Sequence, residues 1–194
     1  MAIDTIDMEP IHSLSNQFLI AMPRLQDSNF ARTVTLVCEH NTQGAMGIVV
    51  NRPMSIKLGE MLRQLEIPLR SRTAGEQFIH VGGPVQPDRG FVLHSSGLLY
   101  DSTLQVGQQL SITTSKDILE AIARDEGPKH SLIALGYAGW GEGQLENELI
   151  QNTWLSCPAA AEIIFKIPVE RRWHAAAALL GVNLSLISSE AGHA

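Results

Sequence analysis

Short runs of apolar and β-branched residues, separated by turn residues, predict strands along most of the chain. The clearest unit is a hairpin, in which a strand over 33–40 passes through a turn at 41–44 into a second strand over 46–50. Other apolar runs predict further strands at 18–22, 78–81, 90–94, 110–113 and 131–137. Alternation of apolar and polar residues over 182–186 predicts a last, half-buried strand.

Helices are predicted where apolar residues recur at helical spacing or where capping residues stand. The apolar face of the first is formed by Leu58, Met61, Leu62 and Leu65. A second follows a capping box of Thr114 and Asp117, has an apolar face of Ile118, Leu119 and Ile122, and ends at Gly127-Pro128. A third covers 144–150, after a glycine-rich turn at 139–143. Pro158 and Pro168 are predicted at the first positions of two more helices.

The order of these elements favours an α+β fold with a mostly antiparallel sheet. Strands follow one another at hairpin distance, with helices between them, rather than in regular βαβ units. We expect a single α+β domain over 16–187, a flexible N-terminal leader over 1–15 and a polar C-terminal tail over 188–194.

Composition and charge narrow the class of protein. The chain has 194 residues, a net charge of −6 and 44% hydrophobic residues, which is enough apolar surface for one core. No apolar stretch approaches the roughly 18 residues that span a membrane, and no secretory signal is visible, so we expect a cytoplasmic protein without membrane contact. The acidic balance disfavours direct DNA binding, and we expect a monomer.

The two cysteines are the candidate reactive thiols. Cys38 and His40 lie two apart on one predicted strand, but no third orienting group can be placed, so a buried core cysteine is favoured there. Cys157 is the better candidate, because a predicted helix start at Pro158 would lower the pKa of its thiol. The seven histidines have no metal-binding spacing, and no cofactor motif is present, so we expect no metal and no cofactor.

Polar and aromatic residues set among glycines are the candidates for a ligand-binding cleft. They are Asn51, Arg52, Gly83, Tyr137, Trp140, Glu146, Asn152 and Trp154. In the predicted hairpin His40 pairs near Ala45, and Asn51 and Arg52 lie at the opposite end, roughly 23 Å away at the rise of a strand. No set of catalytic residues emerges from these positions.

Several runs together resemble the AlgH/YqgE family, and more closely its AlgH branch. These runs are 18–23, Glu39-His40 with 44–47 and 51–53, 82–85 with 90–94, and 135–140 with 143–146. The similarity covers about residues 16–186, and Thr33 stands where many members have a serine. The resemblance implies a bacterial cytoplasmic protein whose bifurcated sheet closes towards a pseudo-barrel flanked by helices. Members are named as transcriptional regulators, but the resemblance brings no catalytic residues.

Two hypotheses of function follow from the sequence. The first is a non-enzymatic regulatory or interaction protein that acts through a protein partner or a small ligand. The alternative is a small hydrolase or transferase that uses Glu146 or Cys157, with Arg52 orienting the substrate.

Overall fold

A computed structural model describes residues 13–189, in which ten strands form one curled sheet, a half-barrel, with helices around it. The strands are β1 Gln17–Ala21, β2 Val34–Asn41, β3 Gly44–Val49, β4 Pro53–Lys57, β5 Phe78–Val81, β6 Val85–Ser95, β7 Thr103–Gln105, β8 Leu110–Thr113, β9 Ser131–Gly141 and β10 Trp154–Pro158. The helices are α1 Leu58–Gln64, α2 Arg72–Gly75, α3 Asp117–Ala123, α4 Gln144–Ile150, α5 Ala161–Phe165, α6 Arg172–Ala178 and α7 Leu184–Ser189, with a 3₁₀ turn at Val169–Arg171.

The sheet forks at β9. Its main path runs β10-β1-β2-β3-β9-β6-β8-β7, and β5 joins β9 beside this path and carries β4 at its outer edge. Because β6 occupies one edge of β9, both β3 and β5 pair with the other edge, β3 at residues 138–141 and β5 at residues 134–135. Among the described strands only the β5–β9 pairing is parallel. The predicted α+β class and bifurcated, mostly antiparallel sheet are confirmed.

The predicted hairpin is formed by β2 and β3. His40 pairs with Ala45, as the turn residues indicate, and the register continues to Thr35 opposite Val49. A β-bulge at Cys38 interrupts the ladder, so Cys38 and His40 do not follow the simple alternation of a regular strand.

The apolar side chains form three clusters on the two sides of β9. Leu132 and Ala134 face the largest cluster, which β1, β2 and the α5–α6 layer complete. Ile133, the residue between them, packs on the other side with α1 and α3. Near the end of β9, Trp140 joins a third cluster with Trp154. One strand therefore connects every part of the described core.

Three predicted elements are wrong. Residues 184–189 form α7 rather than a strand, because Leu184 is buried while Leu186 is two-thirds exposed, so the alternation marks no buried strand face. Pro158 ends β10 instead of starting a helix, and α5 begins three residues later. The glycine-rich segment at 139–143 is mostly the end of β9, where Gly44 of β3 approaches the carbonyl of Trp140 closely.

The ends of the predicted domain lie close to the limits of the described residues. Leu14 donates its backbone N–H to Nδ1 of His40, and Ser13 Oγ donates to the His40 carbonyl, so 13–15 are held against β2. The rest of the predicted leader, 1–12, and the end of the predicted tail, 190–194, lie outside the described residues.

Candidate functional site

A cleft of about 800 Å³ opens between the β4–β5 arm and the α5–α6 layer. Met54, Phe78 and His80 border it from β4 and β5, and Thr73 from α2. Opposite them, the end of α5, the 3₁₀ turn and Arg172 at the start of α6 form the other wall. Cavities of this size hold organic ligands of ordinary metabolite size.

Arg172 is the dominant charge of the cleft. Its side chain is nine-tenths buried, and its Nε and Nη1 donate to the carbonyls of Ile167 and Val50. Burial lowers the pKa of Arg172 to about 10, which leaves the guanidinium charged at neutral pH. None of the salt bridges within residues 13–189 includes it, and the carboxylate of Glu170 acts on its charge only from beyond salt-bridge distance.

His80 is the second buried polar group at the cleft. It is 8% exposed, and its Nδ1 has no hydrogen-bond partner within the described chain. Burial, together with the positive charge of Arg172, lowers the pKa of His80 to about 4. His80 is therefore neutral at pH 7, and any anion that offsets the charge of Arg172 would raise this pKa.

The remaining polar residues give the cleft a positive balance. Lys129 adds a second cation, and Asp125 contributes a carboxylate that accepts a hydrogen bond from Ser71 Oγ at 3.1 Å. His130 stacks on Phe165 with 5.6 Å between the ring centroids. A chain with a net charge of −6 thus has a locally cationic cleft.

The residues proposed from the sequence lie elsewhere. Tyr137 and Trp140 line a second, shallower depression of about 570 Å³ beside β3 and β6, together with Glu39 and Arg89. The other candidates border neither cavity. The structure therefore places only Tyr137 and Trp140 at one cavity, although Trp154 packs against Trp140 and Gly83 lies against the backbone of Tyr137.

Trp140 and Trp154 share one acceptor. The indole N–H groups of both donate to Oε2 of Glu148, at 2.9 and 2.8 Å, and Gln144 donates to the other carboxylate oxygen. Phe30 packs against both indoles. These contacts join α4 to β9 and β10, so the two tryptophans serve the packing of this region.

Glu146 is bound to His40. Since Nδ1 of His40 accepts from Leu14, its Nε2–H donates to Glu146 Oε1 at 2.7 Å. Burial raises the pKa of Glu146, but hydrogen bonds from the backbone and from His40 outweigh this effect, and the pKa is lowered overall. The pair connects α4 to the turn end of the β2–β3 hairpin.

Asn51 and Arg52 hold the loop before β2. Asn51 accepts from the backbone N–H of Val34 and donates to the carbonyl of Arg32. Arg52 donates to the carbonyls of Ser28 and Ala31, at 2.6 and 3.0 Å. Both side chains thus use their hydrogen-bonding groups on the chain itself.

Gly83 and Asn152 occupy turns with positive φ. A Cβ on Gly83 would lie 2.1 Å from the carbonyl carbon of Tyr137, so the two segments approach as closely as their backbones allow. Asn152 has φ of 53° and its carbonyl accepts from Arg24.

Both thiols are buried and free. Cys157 lies in β10, not at a helix start, and burial raises the pKa of its thiol, which corrects the expectation of a lowered value. Burial raises the pKa of Cys38 even further. Buried thiols with raised pKa are poor nucleophiles at neutral pH.

His80 and Arg172 were not among the residues proposed from the sequence. They are 92 positions apart, and neither belongs to a local motif. The adjacent pair Arg171-Arg172 after Pro168 is the sequence feature that points to Arg172. A basic residue at the start of a helix is unfavourable beside the helix dipole, so its presence there suggests a role other than helix stability.

Residues 13–189 contain neither a metal-binding cluster nor a membrane-spanning helix. No group of three or more His, Cys, Asp or Glu side chains is arranged to hold a metal ion in this part of the chain. No helix among the same residues has the length and apolar character needed to cross a membrane.

Comparison with known proteins places the chain among bacterial relatives. A model of the AlgH-like family matches residues 18–185. The UPF0301 protein AlgH of Pseudomonas aeruginosa is 58% identical over 183 residues, which cover 93% of this chain and 96% of that protein. A UPF0301 protein of Methylococcus capsulatus is 55% identical over 180 residues, with 93% and 96% covered.

Two solved structures share the fold. The solution structure of AlgH from P. aeruginosa superposes with a TM-score of 0.77 at 55% identity, covering 97% of this chain and all of that one. A crystal structure of a Corynebacterium diphtheriae protein superposes with a TM-score of 0.72 at 18% identity, covering 92% and 93%. This second likeness concerns the fold alone.

Proposed function

The chain belongs to the AlgH-like family, and from the chemistry of its cleft we propose that it is a non-enzymatic regulatory protein of the cytoplasm that binds a small anionic ligand. One observation carries the proposal: the guanidinium of Arg172 is buried at the cleft, charged, and without a carboxylate at salt-bridge distance among residues 13–189. Buried charges in proteins are ordinarily paired, and arginine is suited to carboxylates and phosphates. An anion in the cleft would supply the missing partner.

The backbone contacts of Arg172 prepare it for this role. Its bonds to the carbonyls of Ile167 and Val50 fix the plane of the guanidinium but bring only partial negative charge to it. A ligand anion would therefore meet a cation that is already oriented and largely desolvated, which lowers the cost of binding.

The regulatory part of the proposal rests on where the cleft lies. Its walls belong to the β4–β5 arm on one side and to the α5–α6 layer on the other. A ligand that touches both walls would tie them together, and a protein partner could distinguish the occupied from the empty form. Control of transcription, after which family members are named, would then be indirect.

The alternative of a hydrolase or transferase gains no comparable support. Arg52 binds the loop carbonyls of Ser28 and Ala31, and Cys157 is buried in the core. Glu146 binds His40 at the turn end of the hairpin, roughly seven strand residues, or 23 Å, from Arg52. These groups are not assembled around a shared cavity.

Thermal unfolding with simple anions tests the proposal. We expect 10 mM phosphate to raise the melting temperature above that in chloride of equal ionic strength, by about 3–6 °C if the dissociation constant is about 1 mM. The replacement Arg172→Met should abolish the increase, and Lys129→Met, at a residue with no described partner to lose, should reduce it.

The matched control is Arg89→Met, at an arginine beside the second depression. It removes the same charge from the protein but should leave the phosphate effect unchanged. The proposal fails if phosphate does not stabilise the protein, or if Arg89→Met and Lys129→Met weaken the effect equally.

A further inference from the structure

Resting on the proposed function, we infer that the ligand is a nucleoside monophosphate, with its phosphate beside Arg172 and its base against the ring of Phe78. The inference goes beyond an anion site because it assigns the rest of the cleft to a flat ring and limits the ligand to one phosphate group. Three features of the cleft support it: its size, an exposed aromatic ring, and its balance of charges.

The cleft is too large for an inorganic anion. At about 800 Å³ it falls within the range of sites that enclose whole organic ligands. A phosphate group at Arg172 would occupy a small part of this space and leave the wall at Met54, Gln77 and Phe78 uncovered.

Phe78 is placed to stack on a ligand ring. It precedes His80 by two residues on β5, so both side chains stand on one face of the strand, with their Cα atoms roughly 7 Å apart. The ring of Phe78 is half exposed, although it borders a cavity, and Lys57 Nζ lies 5.8 Å from its centroid. A base would stack on the ring face that Lys57 leaves open.

The polar groups of the cleft fit a sugar and a base edge. The side chains of Gln77 and Thr73 border the same wall as Phe78 and offer an amide and a hydroxyl. Asp125 accepts a bond from Ser71 at Oδ1, which leaves Oδ2 to accept from a ribose hydroxyl or an exocyclic amine.

The balance of charges favours one phosphate over three. Arg172 and Lys129 contribute two positive charges and Asp125 one negative charge, while His80 is neutral at pH 7. These three side chains sum to one net positive charge, so a monophosphate exceeds their charge by less than a diphosphate or a triphosphate does. A triphosphate would place additional negative charge near Asp125, and the chain has no glycine-rich phosphate loop to receive it.

Calorimetric titration with AMP and GMP tests the inference, with ribose 5-phosphate, adenosine, ATP and inorganic phosphate as comparisons. We expect at least one of the two nucleotides to bind about tenfold or more tightly than ribose 5-phosphate, since base stacking on an aromatic ring contributes to this extent. Adenosine and ATP should each bind more weakly than AMP.

Variants separate the two parts of the ligand. Phe78→Ala should weaken nucleotide binding about tenfold and leave inorganic phosphate binding unchanged, because it removes only the ring. The control Leu99→Ala also removes an exposed apolar side chain, away from the cleft, and should change neither affinity. Circular dichroism spectra confirm that each variant is folded.

The outcomes distinguish this inference from the proposed function. If phosphate binds but neither nucleotide binds more tightly than ribose 5-phosphate, the nucleotide assignment is overturned while the anion site remains. If ATP binds more tightly than AMP, the single-phosphate assignment is wrong. If no phosphorylated compound binds, both the inference and the proposed function are refuted.

Discussion

His80 links the cleft to the pH dependence of stability. Its pKa lies at about 4 in the folded protein, below the ordinary value of 6.5, because the ring is buried beside the charge of Arg172. Between these two pH values the unfolded chain binds the proton more strongly than the folded chain does. The stabilisation is therefore complete above pH 6.5 and is lost as the pH falls towards 4.

We expect this residue alone to cost about 2 kcal/mol of unfolding free energy between pH 7.5 and pH 5. Urea unfolding at the two pH values measures it, and His80→Gln should reduce the difference by that amount. His94, whose pKa burial also lowers, contributes in the same direction and remains in the variant. An unchanged difference in His80→Gln would show that His80 is not the group that titrates.

At the scale of elements, the fork of the sheet depends on a close approach of two glycine positions. Gly83, between β5 and β6, faces Gly136 of β9, and a Cβ on Gly136 would lie 2.4 Å from the carbonyl oxygen of Gly83. Gly136 also has φ of +74°, a conformation that favours glycine. This junction fixes where β5 leaves β9, and with it the position of His80.

Gly83→Ala should therefore destabilise the protein by about 3 kcal/mol or more, since the added methyl group meets the backbone of Tyr137. Gly97→Ala is the matched control, because Gly97 also has positive φ but no atom of residues 13–189 lies within 4 Å of its Cβ position. It should cost about 1–2 kcal/mol, the strain of the backbone alone. Equal losses in urea unfolding would contradict a close approach at Gly83.

Elements made by local sequence were predicted well, and those decided by distant packing were not. The β2–β3 hairpin and its pairing of His40 with Ala45 depend on residues 33–50 alone, and they were predicted in detail. Val182, Leu184 and Leu186 fit a strand by alternation, but only Val182 and Leu184 pack on the largest core cluster, Leu186 is exposed, and residues 184–189 form a helix.

The cleft could not be predicted for the same reason. Its two central groups meet because β5 pairs in parallel with β9 and because α6 packs at the end of β3, and neither contact has a local signature. Among the residues proposed from the sequence, Gly83 allows close packing of two strands, and Trp140 and Trp154 share a contact with Glu148.

At the scale of the molecule, β9 makes the described core one cooperative structure. Leu132, Ile133 and Trp140 belong to three different apolar clusters, and the same strand pairs with β3, β5 and β6. The α1–α3 cluster cannot lose its packing without exposing Ile133 and loosening the pairing of β5. We therefore expect a single unfolding transition for residues 16–187.

Two probes with different coverage test this expectation. Trp173 lies in the largest apolar cluster, and Trp140 and Trp154 lie in the third, whereas the cluster around α1 and α3 contains no tryptophan. Tryptophan fluorescence therefore reports the unfolding of the two clusters that contain tryptophan, and far-ultraviolet circular dichroism reports the loss of secondary structure in the whole protein. Their urea transitions should have the same midpoint in the native protein and shift together in Gly83→Ala. A dichroism change that precedes the fluorescence change would mean that the β4–β5 arm and its helices unfold separately, and that the cleft lies between two independently stable parts.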